Sequence, residues 1–502
     1  MKQDVLDVLI VGAGLSGIGA AVHLQTHCPD HRYAIIERRE SMGGTWDIFR
    51  YPGIRSDSDM HTLGYSFKPW QNPKAIADGP SIRAYIQEAA SEYNIQDHIR
   101  FDHQLTAADW DSATATWQVT VAHGDGSQSQ LVTRFLFMCS GYYSYDRGHM
   151  PEFPGREAFT GPVISPQFWP EDLDYSDKRV VVIGSGATAM TLVPAMAEGG
   201  AREVVMLQRS PTYVVSRPSR DRIANGLRKI LPEKWAYAVT RFKNTRMQQW
   251  LYGLARRKPE KLKQRLLGFV RDELGPDYDV EKHFTPSYNP WDQRLCLVPD
   301  SDLFSVLREG KARVVTDHIE RFTEGGILLK SGEQLDADII VSATGLELVM
   351  MGDAHFTRDG QALDFAKHWT YKGMMISDIP NMVMTFGYIN ASWTLRADLI
   401  AQWTCRLLNT MREKGALSVE PVVPEAKKGM AARRWIDEFN PGYMERVMHL
   451  FPRQGDAAPW VNPQNYAKDR DMFLKGEIDD GALVFSVMPD HSKYQGSSNR
   501  AA

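Results

Sequence analysis

Two glycine-rich turns carry the chemistry of this 502-residue sequence. The first, Gly12-x-Gly14-x-x-Gly17, lies in "DVLIVGAGLSGIGAAVHL", which predicts a short buried strand, a tight turn and a helix. Only glycine lets the backbone turn there and approach a pyrophosphate, whose charge then meets the helix N-terminus. A second predicted strand, "YAIIERR", ends at Glu37, where a carboxylate can accept hydrogen bonds from ribose hydroxyls. Strand, turn, helix, strand and terminal acid together read as a dinucleotide site.

The unit returns as "RVVVIGSGATAMTLVPAM", with Gly184-x-Gly186-x-x-Ala189, followed by the strand "EVVMLQRS". The position equivalent to Glu37 now carries Arg209, with Ser210 beside it. An acid repels a 2′-phosphate and an arginine attracts it, so the first site reads as FAD and the second as NADPH. Two such sites in one chain imply a flavoprotein reduced by a nicotinamide.

These motifs require two parallel sheets to present them. "FLFMCSGYY" (135–143) and "LDADIIVSATG" (335–345) predict the strands that close each nucleotide segment. The fold class expected is α/β, with two Rossmann-like dinucleotide-binding domains, for FAD and NADP, and a helical insertion. The FAD domain is expected from 1–145 and 346–502, and the NADP domain from 146–216 and 289–345. The insertion occupies 217–288, where the α/β rhythm breaks into helical stretches.

Residues 217–265 hold fifteen Lys and Arg against three Asp and Glu. One reading is a basic surface that leans on an anionic membrane or draws in NADPH. The other is a helical cap with a solvated cationic face, and the composition favours it. Elsewhere the balance, with a net charge of −4, fits a globular protein and predicts no nucleic-acid partner. Cys28, Cys139, Cys296 and Cys405 are scattered, which argues against a disulfide framework, a zinc site and a dithiol flavoenzyme, and fits a cytoplasmic location. The apolar N-terminal stretch is broken by Asp7 and punctuated by glycines, so it reads as neither signal peptide nor membrane span.

Several longer strings carry a resemblance: "GGTWDIFRYPGIRSDSDMHTLGYSFKPW", "WPEDLDYSDKRVVVIGSGATA", "FTPSYNPWDQRLCLVPDSDLF" and "GYINASWTL". The chain resembles the class B flavin monooxygenases, in particular type I Baeyer–Villiger monooxygenases and their thioamide-prodrug-activating subgroup. That family's fingerprint, Phe-x-Gly-x-x-x-His-x-x-x-Trp-Pro, is matched at Phe159, Gly161, Trp169 and Pro170, but Ser165 replaces the histidine.

The resemblance implies that Ser16, Glu37, Thr45, Trp46, Asp47, Ile48, Asp57 and the backbone near Leu105 contact FAD. Arg55, Ser56 and Asp57 would lie where nicotinamide meets flavin. Gly184, Ser185, Gly186, Ala187, Thr188, Ala189, Gln208 and Arg209 would hold NADP. Arg294 would be the catalytic arginine, positioned by Asp57. Gln293 stands where many relatives have a lysine that helps grip the 2′-phosphate. The implied reaction is NADPH- and O2-dependent: a C4a-peroxyflavin inserts oxygen beside a ketone, giving an ester or lactone, and can oxidise sulfides. Two other outcomes stay open. One is an N- or S-oxygenase with little ketone activity, the other an uncoupled NADPH oxidase or redox-binding flavoprotein.

Overall fold

The computed structural model describes residues 4–293, 295–437 and 442–487. Arg294 therefore lies outside the described residues.

A nine-stranded sheet is built mostly from the N-terminal third. Its strands are β1 (Val5–Val11), β2 (Tyr33–Ile36), β3 (Ile99–Arg100), β4 (Gln104–Asp111), β5 (Thr116–Ala122) and β6 (Gln128–Met138). Strands β6, β1, β2 and β3 run parallel, while β4, β5 and β6 form an antiparallel meander. The C-terminal region returns three strands to this sheet: His355–Arg358 joins β4, Gln361–Ala362 pairs antiparallel with it at the edge, and Met382–Met384 joins β6. Val8, Leu9 and Ile10 are wholly buried, as the apolar run of β1 requires for a strand covered on both faces. Helix α1 (Leu15–His27) leaves the first glycine turn.

The second unit contains β7 (Val163–Ile164), β8 (Arg179–Ile183), helix α2 (Ala187–Glu198) and β9 (Glu203–Gln208). It continues through β10 (Tyr213–Arg217), a run of helices, β11 (Leu295–Pro299), β12 (Ala312–Thr316) and β13 (Ile339–Ser342). Five of these form a parallel sheet in the order β12-β9-β8-β13-β7. Strands β10 and β11 pair in parallel outside it and bracket the helices.

Those helices are α3 (Arg222–Ile230), α4 (Glu233–Arg257) and α5 (Pro259–Leu274). Helix α4 meets the first unit through polar side chains at helical spacing. Tyr237 donates to Tyr65 O (2.9 Å), Arg241 to Gly64 O (2.7 Å), Asn244 to Asp59 Oδ1 (3.0 Å) and Gln248 to Thr62 Oγ1 (3.1 Å). The inward face is thus polar, the reverse of an ordinary surface helix.

The two units also share a core. Ile48, Phe49 and Tyr51, which follow the first unit's Gly43–Gly44 turn, pack among β8, α2 and β13 side chains. Gly53 (φ +79°) lies so close to α2 that a Cβ there would stand 2.5 Å from Thr191 O. Helix α6 (Trp393–Lys414) packs along α1 and completes the first unit's interior.

Candidate functional site

One continuous cavity of about 1920 Å³ lies between the two units and receives both glycine turns. Ordinary small-molecule pockets span roughly 300–1,000 Å³, so this space suits more than one ligand of that size.

In the first cradle, Gly12 has φ +105° and a Cβ would stand 2.6 Å from Cys139 O. A side chain is excluded both by conformation and by the close passage of β6's exit. Glu37 is 3% exposed; Oε2 accepts from Ala13 N (2.8 Å) and Oε1 from Arg39 N (3.0 Å). Burial raises its pKa above the usual carboxylate value, while the two amides oppose that shift. Each oxygen keeps a lone pair for further donors, and Glu37 lines the cavity. Ser16 lines it too, its hydroxyl accepting from Trp393 Nε1 (2.7 Å), and Trp393 stacks on Tyr142.

Gly14, Thr45, Trp46, Ser56, Asp57 and Leu105 also face this space. Arg55 lines it while its guanidinium pairs with Asp302 (2.5 Å), a residue of the second unit. Burial raises the Asp302 pKa, and Arg55 works against that rise.

The second cradle is more open. Gly184 has φ +134° and sits against Ala343 O, whereas a Cβ on Gly186 would meet nothing within 4 Å. Ser185 Oγ bonds Ser210 O (3.0 Å) and Thr212 Oγ1 (2.9 Å), tying the turn to the end of β9. Ala187 and Thr188 line the cavity, as do the exposed Arg209 and Ser210.

Five expected cofactor contacts do not line the cavity. A Cβ on Gly17 would stand 1.8 Å from Gly12 O, so this glycine serves helix–strand packing, and buried Ala189 holds the equivalent place. Ile48 is spent in the shared core. Asp47 is fully buried beneath the turn, accepting from Ser41 Oγ (2.7 Å) and Arg39 Nε (2.8 Å) and pairing with Arg83 (2.9 Å) and Arg50 (3.2 Å). Burial pushes its carboxyl up, but Ser41 and the guanidinia outweigh that and hold it below the ordinary value. Gln208 is turned away, its amide donating to His283 O (2.7 Å) and Thr316 Oγ1 (2.8 Å).

Other lining residues were not singled out by motif. Asp317 N bonds Gln208 O and Lys330 N bonds His318 O, which brings a second cation, Lys330, to the rim that holds Arg209. Tyr142, Tyr145 and Trp393 wall the first cradle, and Met247, Trp250, Leu251, Leu262, Leu266 and Phe269 form an apolar roof from the helical insertion. The roof could be found only by knowing which insertion face turns inward.

Ser165 follows the edge strand β7, and a Cβ on Gly148 would stand 2.7 Å from its Oγ. Around it, Phe159 is buried against Phe322, and Gly161 presses on Asp338 O. The altered fingerprint thus forms the sheet edge beneath the 144–150 linker.

A family model described as flavin-binding monooxygenase-like matches residues 6–278. The chain belongs to that family. It is 54% identical over 484 residues to FAD-containing monooxygenase EthA of Mycobacterium tuberculosis, covering 96% of this chain and 98% of the relative. It is 50% identical to the probable FAD-binding monooxygenase AlmA of Acinetobacter baylyi, over 97% of each chain. Among solved structures, an oxidised steroid monooxygenase bound to NADP superposes with a TM-score of 0.76 at 22% identity. That match covers 96% of this chain and 100% of the other. Cyclohexanone monooxygenase in an open form gives 0.73 at 18%, over 96% and 100%. These likenesses show the fold: two Rossmann-like units of the flavin-monooxygenase type.

Proposed function

We propose that this family member is an NADPH- and O2-dependent FAD monooxygenase that inserts oxygen beside a ketone carbonyl and also oxidises sulfides. The observation that carries the reading is the opening of both glycine cradles into one cavity, with Arg55, Ser56 and Asp57 lining it.

The residues fit the two cofactors. Glu37 supplies free acceptor capacity for a ribose diol and would repel a 2′-phosphate, and the bare backbone of Gly12 and Gly14 admits a pyrophosphate. Arg209, aided by Lys330, suits a 2′-phosphate, which compensates for Gln293. A bound flavin supplies hydride acceptance from the nicotinamide and activation of O2. The chain's residues orient and shield that chemistry. Trp393 fixes Ser16, and Asp302 fixes Arg55 between the units. The buried members of the roof, Leu262 and Leu266, turn apolar side chains to the cavity, where less water would favour the oxygenating step over peroxide release. Arg294 is assigned by the resemblance as the permanent cation that stabilises developing oxyanion charge.

The test follows NADPH consumption with a ketone, with a thioether and with neither, while ester, sulfoxide and hydrogen peroxide are counted. Arg294→Ala should leave flavin reduction by NADPH intact and cut ester formation by roughly 10²–10³, the usual cost of losing an oxyanion stabiliser. Undiminished ketone turnover in that variant would remove the arginine from the reaction.

A further inference from the structure

Helix α4 is anchored by its polar side chains, so its outward face is the unusual one. Trp235, Val239, Phe242, Arg246 and Trp250 recur at spacings of four, three, four and four and form a single stripe. Trp235 is 69% exposed and Phe242 59%, and on the neighbouring α3 Ile230 is 76% exposed. Among the described residues, eight of the fourteen exposed large hydrophobic side chains fall between residues 223 and 250. Such clustering marks a surface that something covers.

The charge around it says what. Glu233 is the single acid between residues 222 and 259, whereas Arg222, Lys229, Lys234 and Arg246 form no ion pair among the described residues. Beside Phe242 lies a hollow of about 570 Å³ whose wall holds the unpaired Lys234 and Arg246, together with Arg241 and Arg470, which pair with Asp398 and Asp471 behind it. The Arg246 guanidinium rests 5.4 Å from the centre of the Phe242 ring. An apolar stripe flanked by unpaired cations complements a layer of anionic headgroups over acyl chains. A second copy fits poorly, because two-fold pairing of this face would oppose its own positive charges.

We propose that α3 and α4 dock the protein on an anionic lipid surface. Trp235, Val239 and Phe242 enter the headgroup boundary while Lys234 and Arg246 meet phosphate. Ile223 and Trp250 belong both to this face and to the cavity lining, so docking sets the cavity mouth against the lipid. On the oxygenase reading, apolar substrates would then enter from the bilayer.

Flotation of the flavin-loaded full-length protein with vesicles tests the docking without any turnover. Binding is expected to phosphatidylglycerol–phosphatidylcholine vesicles, with much less to phosphatidylcholine alone and weakening at high salt. Trp235→Glu/Phe242→Glu and Lys234→Glu/Arg246→Glu should each lower vesicle affinity by about tenfold or more. Both double variants should keep wild-type flavin content and far-UV circular dichroism, which separates lost docking from lost folding. Absence of wild-type binding to the anionic vesicles would overturn the proposal, as would undiminished binding by Trp235→Glu/Phe242→Glu. So would a dimer in sedimentation velocity that this variant abolishes while vesicle binding is lacking. None of these results touches the oxygenase reading, which rests on product analysis.

Discussion

The two glycine cradles share a motif and differ in enclosure. The first is tight: Gly12 abuts Cys139, Glu37 is buried and doubly bonded, and Asp47 gathers three arginines beneath the neighbouring turn. The second leaves Gly186 facing open space and Arg209 and Ser210 exposed. Enclosure of this kind slows release, so the first cradle suits a resident cofactor and the second one that exchanges with each turnover. FAD should accordingly purify with the protein, whereas NADP need not.

The sharpest way to break this contrast is Gly12→Ala. Its left-handed φ costs about 1–3 kcal/mol for a residue with a side chain, and the new Cβ meets Cys139 O as well. The variant is expected to purify nearly colourless; normal yellow protein would mean the first cradle does not hold the flavin.

Asp47→Asn probes the support of that cradle. The expected loss is about 2–3 kcal/mol, less than for a sealed ion pair, because the three arginines remain 30–42% exposed. The Asp47 carboxyl is held low in the folded state, so its contribution is complete above the ordinary carboxylate range. It is lost as pH falls through the depressed folded value. Urea unfolding across pH 3–7 should show the gap between variant and parent closing at the acid end. A gap independent of pH would assign the loss to packing.

Arg209→Ala addresses the open cradle. Removal of a charge-assisted contact worth about 1.5–3 kcal/mol should weaken NADPH tenfold or more while leaving NADH little changed. Equal weakening of both nucleotides would move 2′-phosphate recognition to another residue, with Lys330 the first to examine.

Ser165→His carries the smallest effect. Histidine beside Gly148 would brace the linker between the units, raising product formed per NADPH by no more than about twofold and lowering free peroxide. Cofactor affinities should stay level. An unchanged ratio would make Ser165 a tolerated replacement.

What the sequence reveals follows the range of the interactions involved. The glycine turns, Glu37 and Arg209 line the cavity as expected, because a local backbone requirement and one terminal side chain define their place. Asp47 and Gln208 lie off the cavity, because their partners, Arg83 for one and His283 and Thr316 for the other, are distant in sequence. Gly17 and Ala189 belong to the motif for packing and not for contact. The insertion's base-rich composition favours a solvated cap, yet the polar anchoring of α4 turns Trp235 and Phe242 outward. Composition counts charges without saying which face they occupy.

The segment Ile48–Gly53 has a consequence for protein engineering. It is encoded with the first nucleotide unit but fills the interior of the second, with Phe49 and Tyr51 among the side chains of α2 and β8. A chimera that replaced only residues 146–345 with those of a relative would graft a new socket onto an old plug. The recombination boundary that preserves packing transfers residues 48–53 together with that unit, although they lie almost a hundred residues upstream of it.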